Sequence, residues 1–146
     1  MATSRRNSMR DRLIVLLHRA GLAVGPTQLL TVVGRISGRP HTTPIAPVTV
    51  DGVPYIVQAY PDANWVKNAR AAGHGVLTRG LHRCRVELIE VPKDQRGPIL
   101  REFPLQNPRG ARAFVRNGLV RSASPDSFAA AAPRCTIFRA TPRTAH

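Results

Sequence analysis

Short apolar segments separated by tight-turn sequences are the feature that most restricts the fold of this chain. Asp51-Gly52 joins two such segments and is a strong signal for a two-residue hairpin turn. The stretch from Arg79 to Leu81 predicts a second hairpin. About six strands, mostly hairpin-connected, predict a small antiparallel barrel rather than a doubly wound parallel sheet. The six predicted strands cover residues 29–33, 44–50, 53–59, 76–78, 83–91 and 135–140.

Helical patterns are inserted between these strands, so the predicted class is mainly β with helices (α+β). Residues 64–72 should form a helix that Gly73 ends, with Asn64 as its N-cap. Further helices are predicted over 93–103 and 108–117, and a weak helical turn is predicted at Pro125.

No linker or internal repeat interrupts the pattern, which predicts one domain over residues 1–146. Its parts are a basic amphipathic N-terminal helix within 1–25, a barrel over 26–142 and a tail at 143–146. Leu13, Leu16, Leu17 and Ala20 would form the apolar face of that helix. The apolar run is too short for a secretion signal or a membrane span. The helix could lie on an anionic membrane or pack on its own domain.

The chain is strongly basic, with 22 lysine and arginine residues against 8 acidic residues and a net charge of +14. Such a surplus attracts nucleic acid, anionic lipid, or a phosphorylated or polycarboxylate ligand. Aromatic residues make up only 5% and no nucleic-acid-binding motif is present, so no nucleic-acid partner is expected. Cys84 and Cys135 are predicted to be reduced, buried thiols in a cytoplasmic protein.

The common catalytic motifs are missing from the sequence. There is no dinucleotide-binding or phosphate-binding glycine motif and no nucleophile elbow. The five histidines have no metal-ligand spacing, and the carboxylates form no acid/base pair. If the chain is an enzyme, a bound cofactor should therefore supply the chemistry, and no metal site is expected.

Two segments carry most of the polar ligand-binding potential. In residues 30–44, Gly34 and Gly38 permit a tight loop, and Arg35 and Arg39 can bind phosphate or carboxylate. The alternative is an ordinary hairpin with solvated arginines. Hydroxyl and imidazole donors in the same segment are Ser37, His41, Thr42 and Thr43.

The second segment is the predicted helix 64–72. Lys67 and Arg70 lie three residues apart on one helix face, near an N-terminus that itself favours anions. Trp65, the only tryptophan, lies in the same segment. The alternative interpretation is that Trp65 is simply a core anchor.

The order and spacing of these residues resemble one known family. The matching positions are Leu29-Leu30-Thr31, Gly34-Arg35, Ser37-Gly38, Pro44, Trp65, Asn68, Ala71, Gly73 and the closing Ile137-Phe138-Arg139. Together they resemble the deazaflavin-dependent nitroreductase and quinone reductase family, which uses coenzyme F420. The family often has lysine where Ile36 stands and arginine where His41 stands.

The resemblance implies a split β-barrel of the flavin-binding type and hydride transfer from reduced F420 to a quinone, nitro compound or similar small acceptor. It implies that the loop 34–44 binds the phosphate and oligoglutamate tail. The ring would lie along Gln58 and Ala59, near Asn64 and Trp65. Tyr60 would be the catalytic residue. The implied cofactor-binding set is Arg35, Ser37, Gly38, Arg39, His41, Thr42, Thr43, Pro44, Gln58, Ala59, Asn64, Trp65, Lys67, Asn68 and Arg70.

Alternatives from the sequence are a barrel that binds FMN, FAD or haem, a non-catalytic ligand carrier or, less favoured, a basic nucleic-acid-binding protein. The chain is expected to be a monomer or a homodimer. Its expected location is the cytoplasm, with membrane contact through the N-terminal helix as an open option.

Overall fold

The computed structural model describes residues 27–143, which contain a seven-stranded antiparallel sheet in the order β2-β1-β5-β6-β7-β4-β3. The helix predicted at the N-terminus lies outside the described residues. The strands are β1 Gln28–Val33, β2 Pro40–Ile45, β3 Val48–Val50, β4 Val53–Val57, β5 His74–Arg79, β6 His82–Glu90 and β7 Ile137–Pro142. The helices are α1 Asn64–Ala72, α2 Arg96–Gln106, α3 Pro108–Arg116 and α4 Pro125–Ala130, with a 3₁₀ turn at Lys93–Gln95.

The sheet is curled into a half-barrel. Strands β2 and β3 lie at its two edges, yet only Ala46 and Pro47 separate them in the chain. In a flat sheet the two edges would be about 29 Å apart, at ~4.8 Å per strand spacing. The three peptide units that join Ile45 to Val48 span at most about 11 Å. The sheet must therefore curve until its edges approach, which confirms the predicted antiparallel barrel.

The prediction of a single strand over residues 44–50 is wrong. This segment contains the end of β2 and all of β3, which pair with different neighbours. Pro47 has no amide hydrogen with which to continue a ladder, so the chain can turn the corner there. The split raises the number of strands from the predicted six to seven.

Both predicted hairpins are confirmed. Asp51 and Gly52 have φ values of 51° and 77°, as a type I′ turn requires, and Val50 pairs with Val53. Strands β5 and β6 pair from Arg79 and His82 at their turn.

Helix α1 has the predicted bounds, and Gly73 ends it with a φ of 75° and an N–H bond of 2.8 Å to the carbonyl oxygen of Ala69. The predicted N-cap is wrong by one residue. Ala63 occupies that position and caps nothing with its side chain, so the Asn64 side chain remains available for the adjacent cleft.

Two hydrophobic cores lie on opposite sides of the sheet. Helix α1 packs against the inner core, where the Trp65 and Phe138 ring centroids are 5.8 Å apart. The outer core lies between strands β3, β4 and β7 and the later helices, around Phe103, Phe114 and Phe128. Helix α1 is therefore held firmly by its buried face.

The two cysteines differ in their environments. Burial raises the pKa of the Cys135 thiol to about 11, so this thiol is protonated at neutral pH. The prediction that Cys84 is buried is wrong, because Cys84 is exposed. The last pairing between β6 and β7 joins Val86 to Pro142. Cys84 precedes Val86 on β6, so no β7 residue pairs with it.

The antiparallel registers place the connections that carry the predicted site at one end of the barrel. Thr31 pairs with Val76, so the β1–β2 loop lies beside the start of β5 and the end of α1. Val57 pairs with Ile137, which brings the β4–α1 connection to the same end. In residues 27–143, no helix is long and apolar enough to cross a membrane.

Candidate functional site

The loop between β1 and β2 is closed by its own backbone. The Gly34 N–H donates to the Arg39 carbonyl oxygen at 2.8 Å, and the Gly38 N–H donates to the Gly34 carbonyl oxygen at 3.0 Å. Gly38 has a φ of 72°, a conformation that glycine adopts without strain. The loop therefore holds Arg35, Ile36 and Ser37 in a fixed arrangement.

His41 and Ser37 form a polar pair over this loop. The Ser37 Oγ lies 3.1 Å from His41 Nε2 and accepts a bond of 3.2 Å from the Arg39 N–H. A Cβ at position 34 would lie 2.6 Å from the His41 ring and 2.8 Å from Ser37 Oγ. Glycine at position 34 is thus required for the imidazole to pack onto the loop.

We expect Gly34→Ala to push the exposed His41 ring and Ser37 hydroxyl off the loop and to lower the free energy of unfolding by about 1 kcal/mol, the low end for overpacking, because both side chains can move. Chemical denaturation measures the change, and the NMR shifts of the His41 ring should move. Gly97→Ala is the matched control, since nothing lies within 4 Å of a Cβ there. Equal stability of the two variants would contradict the packing argument.

Asn68 joins the loop to helix α1. Its Oδ1 accepts from both the Arg35 backbone N–H at 3.1 Å and the Arg35 Nη1 at 2.8 Å. Asn68 is only 5% exposed. Because both donors belong to one residue, the buried amide fixes the direction in which the Arg35 side chain leaves the loop.

An open cleft of about 220 Å³ lies between the loop and the first turns of α1. Its lining offers guanidinium, imidazole, hydroxyl and amide groups beside a helix N-terminus, whose partial charge is positive. The lining residues are Gly34, Arg35, Ile36, Ser37, His41, Asn64 and Asn68.

The charge around the cleft favours an anion. Arg35, Arg39 and Lys67 are exposed, and none has a carboxylate within ion-pair distance among residues 27–143. The nearest acid in sequence to the start of α1 is Asp62, which is also exposed. Three cations against one carboxylate leave the rim positive.

Most of the other predicted site residues on strands are engaged in the fold. Thr42 on β2 shares a bond of 2.9 Å between its Oγ1 and that of Thr31. Thr43 and Pro44 follow it on β2 and are half-buried, and neither lines the cleft.

Gln58 and Ala59 stabilise the bend that carries Tyr60. The Gln58 Nε2 donates to the Tyr60 carbonyl oxygen at 3.0 Å, and its Oε1 accepts from the Thr136 N–H at 3.0 Å. The Ala59 carbonyl oxygen accepts from Asn117 Nδ2 at 2.8 Å. Tyr60 itself is 37% exposed, at the cleft end of the barrel.

Arg70 is neutralised by a partner that the sequence did not indicate. Its Nε and Nη2 donate to the two carboxylate oxygens of Glu90 at 2.8 and 3.0 Å. Glu90 also accepts from Arg96 Nη2 at 3.1 Å. The Arg70 hydrogen bond lowers the pKa of the Glu90 carboxyl below its usual range.

The structure thus brings together at the cleft Arg35, Ser37, His41, Asn64 and Asn68 from the predicted set. It places Trp65 in the inner core and Arg70 in an ion pair beside β6. Ile36, which stands where the resembled family often has lysine, lines the cleft and is 87% exposed. Only its position inside the glycine loop could have indicated this.

Several solved proteins share the fold of this chain. No family model and no curated protein matches the chain. A solved protein of unknown function from Agrobacterium tumefaciens matches with a TM-score of 0.60 and 16% identity over 89% of this chain and 54% of that one. The chain therefore spans about half the length of that protein.

Two further solved structures share the architecture along most of their length. An F420-H2-dependent reductase, FDR-A, matches with a TM-score of 0.54 and 15% identity over 80% of this chain and 94% of that one. HutZ, a haem storage protein from Vibrio cholerae, matches with a TM-score of 0.58 and 11% identity, covering 92% and 90%. At these identities the likeness shows the fold, which is the split barrel.

Proposed function

We propose that this protein is an oxidoreductase that binds reduced coenzyme F420 and transfers a hydride to a quinone, nitro compound or similar small acceptor. The observation that carries the proposal is the cleft between the β1–β2 loop and α1, with Arg35, Arg39 and Lys67 unneutralised beside it. The sequence resemblance and the fold shared with an F420-H2-dependent reductase support the same cofactor.

The donor set fits the anionic part of that cofactor. A phosphate and an oligoglutamate chain need several separated cations and neutral donors, and the loop and helix offer both. The cleft volume of about 220 Å³ is below the ~300–1,000 Å³ of sites that enclose a whole drug-sized ligand. The cleft therefore suits a phosphate and its neighbouring carboxylates, with the rest of the cofactor outside it.

When bound, the cofactor supplies the hydride, and the protein's own residues bind and orient it. Arg35 and Lys67 hold the anionic tail, and Ser37, His41 and Asn64 donate or accept hydrogen bonds along it. The Tyr60 hydroxyl is proposed to donate a hydrogen bond or a proton to the acceptor. This division of roles agrees with a sequence that lacks an acid/base pair.

Several residues of the predicted set are better placed to position the site than to contact the cofactor. Asn68 aims Arg35, Gln58 fixes the carbonyl of Tyr60, and Trp65 anchors α1 in the inner core. Arg70 binds α1 to β6 through Glu90. We propose that these four act as positioning residues.

Titration of the purified full chain into F420, followed by the cofactor's fluorescence, tests the proposal. Binding at micromolar cofactor is the expected result, and it should weaken as salt rises because the contacts are charged. The absence of binding at such concentrations would overturn the F420 assignment.

The main alternative is that the barrel holds FMN, FAD or haem, or carries a ligand without catalysis. Its support is the fold shared with a haem storage protein. The absorption spectrum of the protein as purified separates the cases, because flavin and haem colour a protein strongly. A stoichiometric flavin or haem spectrum would favour the alternative over F420.

A further inference from the structure

The β5–β6 hairpin lies at the end of the barrel opposite the cleft and extends past β7 there. On its β7 side, the last strand pairing of β6 joins Val86 to Pro142, and one more backbone bond of 2.8 Å joins the Arg143 N–H to the Arg85 carbonyl oxygen. Among the described residues, nothing pairs with β6 on that side before Arg85. The turn and the first residues of β6 therefore project beyond their neighbour.

The tip of this hairpin carries an exposed leucine that the turn does not require. Leu81 is 83% exposed. Gly80 provides the positive φ of 59° that the turn needs, and position 81 has no left-handed backbone. Neither burial nor backbone conformation therefore requires an apolar side chain at position 81.

Two arginines lie close in sequence to the exposed leucine. Arg83 and Arg85 lie two residues apart on one face of β6, are exposed, and have no carboxylate partner among residues 27–143. The backbones of Arg79 on β5 and His82 on β6 pair at the base of the turn.

Few acids oppose these cations. The sequence contains no acidic residue between Asp62 and Glu87. Glu87 is paired with Arg143 at 3.3 Å. Asp51 lies in the β3–β4 turn at the same end, with β7 and β4 between it and the hairpin. The projecting tip is therefore apolar at its centre and positive around it.

The chain enters the barrel at this same end. Leu29 pairs with Thr78, so β1 begins beside the β5–β6 turn. In the sequence, residues 1–26 contain five arginines before residue 20 and one acid, Asp11. The arginines of residues 1–26 therefore precede a strand that begins beside this hairpin.

We propose that this end of the barrel docks on an anionic phospholipid bilayer, with Leu81 entering the boundary between headgroups and acyl chains. Arg83 and Arg85 would bind the lipid phosphates, since basic residues near an anionic surface attract it. The tip offers an apolar side chain for the acyl boundary and no aromatic ring on which single-stranded nucleic acid could stack. Two such tips repel each other, so a second copy is disfavoured as the occupant.

Co-sedimentation of the full chain with vesicles tests the docking surface. The chain should bind vesicles that contain phosphatidylglycerol and bind phosphatidylcholine vesicles much more weakly. Leu81→Ser should weaken binding about tenfold through lost apolar burial, and Arg83→Ser about fivefold. Ile36→Ser and Arg112→Ser are the matched controls, because they remove an equally exposed apolar residue and an exposed arginine elsewhere.

A fluorescence measurement locates the contact independently of affinity. In a Cys84→Ser background, an environment-sensitive dye on Leu81→Cys should shift to the blue on anionic vesicles, whereas the same dye on Ile36→Cys should not. Equal shifts at both positions, wild-type binding by Leu81→Ser, or equal binding to neutral vesicles would each overturn the proposal. So would tighter binding to duplex DNA than to anionic vesicles at the same ionic strength.

Discussion

Replacing Glu90 with alanine is expected to lower the free energy of unfolding by about 3 kcal/mol. The Arg96 side chain is 4% exposed and has Glu90 as its carboxylate partner. Its other two bonds, to the carbonyl oxygens of Val91 and Ala132 at 2.9 and 3.1 Å, do not neutralise its charge. The variant therefore leaves a buried guanidinium without a counter-ion. Removing one partner of a buried ion pair costs about 3–5 kcal/mol. The low end applies here because 34% of the Glu90 side chain is exposed.

Glu87→Ala is the matched control on the same strand. Glu87 pairs with Arg143 at 3.3 Å, and both side chains are about half exposed, at 52% and 48%. Such surface pairs contribute about 0–1 kcal/mol. Urea unfolding of both variants measures the contrast, and equal losses would show that the burial of Arg96 does not determine the effect.

The contribution of Glu90 to the free energy of unfolding should decrease at low pH. Hydrogen bonding from Arg70 lowers the pKa of Glu90 in the folded state below its ordinary value of 4.5. The unfolded chain therefore takes up the proton first, so the stabilisation is fully present above pH 4.5 and is lost as pH falls through the lowered pKa. The stability difference between wild type and Glu90→Ala should shrink on acidification below that value and stay constant above it.

Elements with strong local signals were predictable from the sequence. The turn at Asp51-Gly52 and the end of α1 at Gly73 both depend on a positive φ, which glycine and aspartate adopt more readily than most residues. The helix over 64–72 buries Trp65, Val66 and Ala69, which lie within about one helical turn of one another. In each case the determining interaction lies within a few residues, so the sequence alone contains it.

Features set by tertiary contacts were not predictable. Nothing in residues 44–50 indicates that the chain changes from one sheet edge to the other, because the corner depends on the closure of the whole barrel. Cys84 alternates correctly with Val86 in sequence, but β6 projects past its neighbour at that point and leaves the thiol exposed. The pairing of Arg70 with Glu90 joins residues that are far apart in the chain.

The candidate site was also predictable only in part. Its loop and the start of its helix were predictable, because glycines, arginines and asparagines lie in short motifs. The partner of each side chain was not predictable, because Asn68 contacts Arg35 and Gln58 contacts Thr136 only in the folded, curled sheet. The sequence therefore predicts the donor set better than it predicts which donors are free for a ligand.

The double variant Arg35→Ala with Lys67→Ala is expected to weaken F420 binding by about 3 kcal/mol, or about a hundredfold in Kd. Each cation should contribute about 1–3 kcal/mol through charge-assisted bonds to the anionic tail. Fluorescence titration of F420 gives the Kd of each single variant and of the pair. Binding by the double variant should also depend less steeply on salt than binding by the wild type.

Arg83→Ala with Arg85→Ala is the control that separates site contacts from overall charge. Both residues are exposed on β6 and, among the described residues, lack a carboxylate partner, so the pair removes the same charge at the end of the barrel opposite the cleft. A long-range effect of net charge would weaken binding equally in both double variants. Direct contacts predict a loss of less than about threefold in the control, because screening at physiological salt extends only ~8 Å. Equal losses of F420 affinity in the two double variants would show that the cleft does not bind the anionic tail. They would not contradict F420 binding itself.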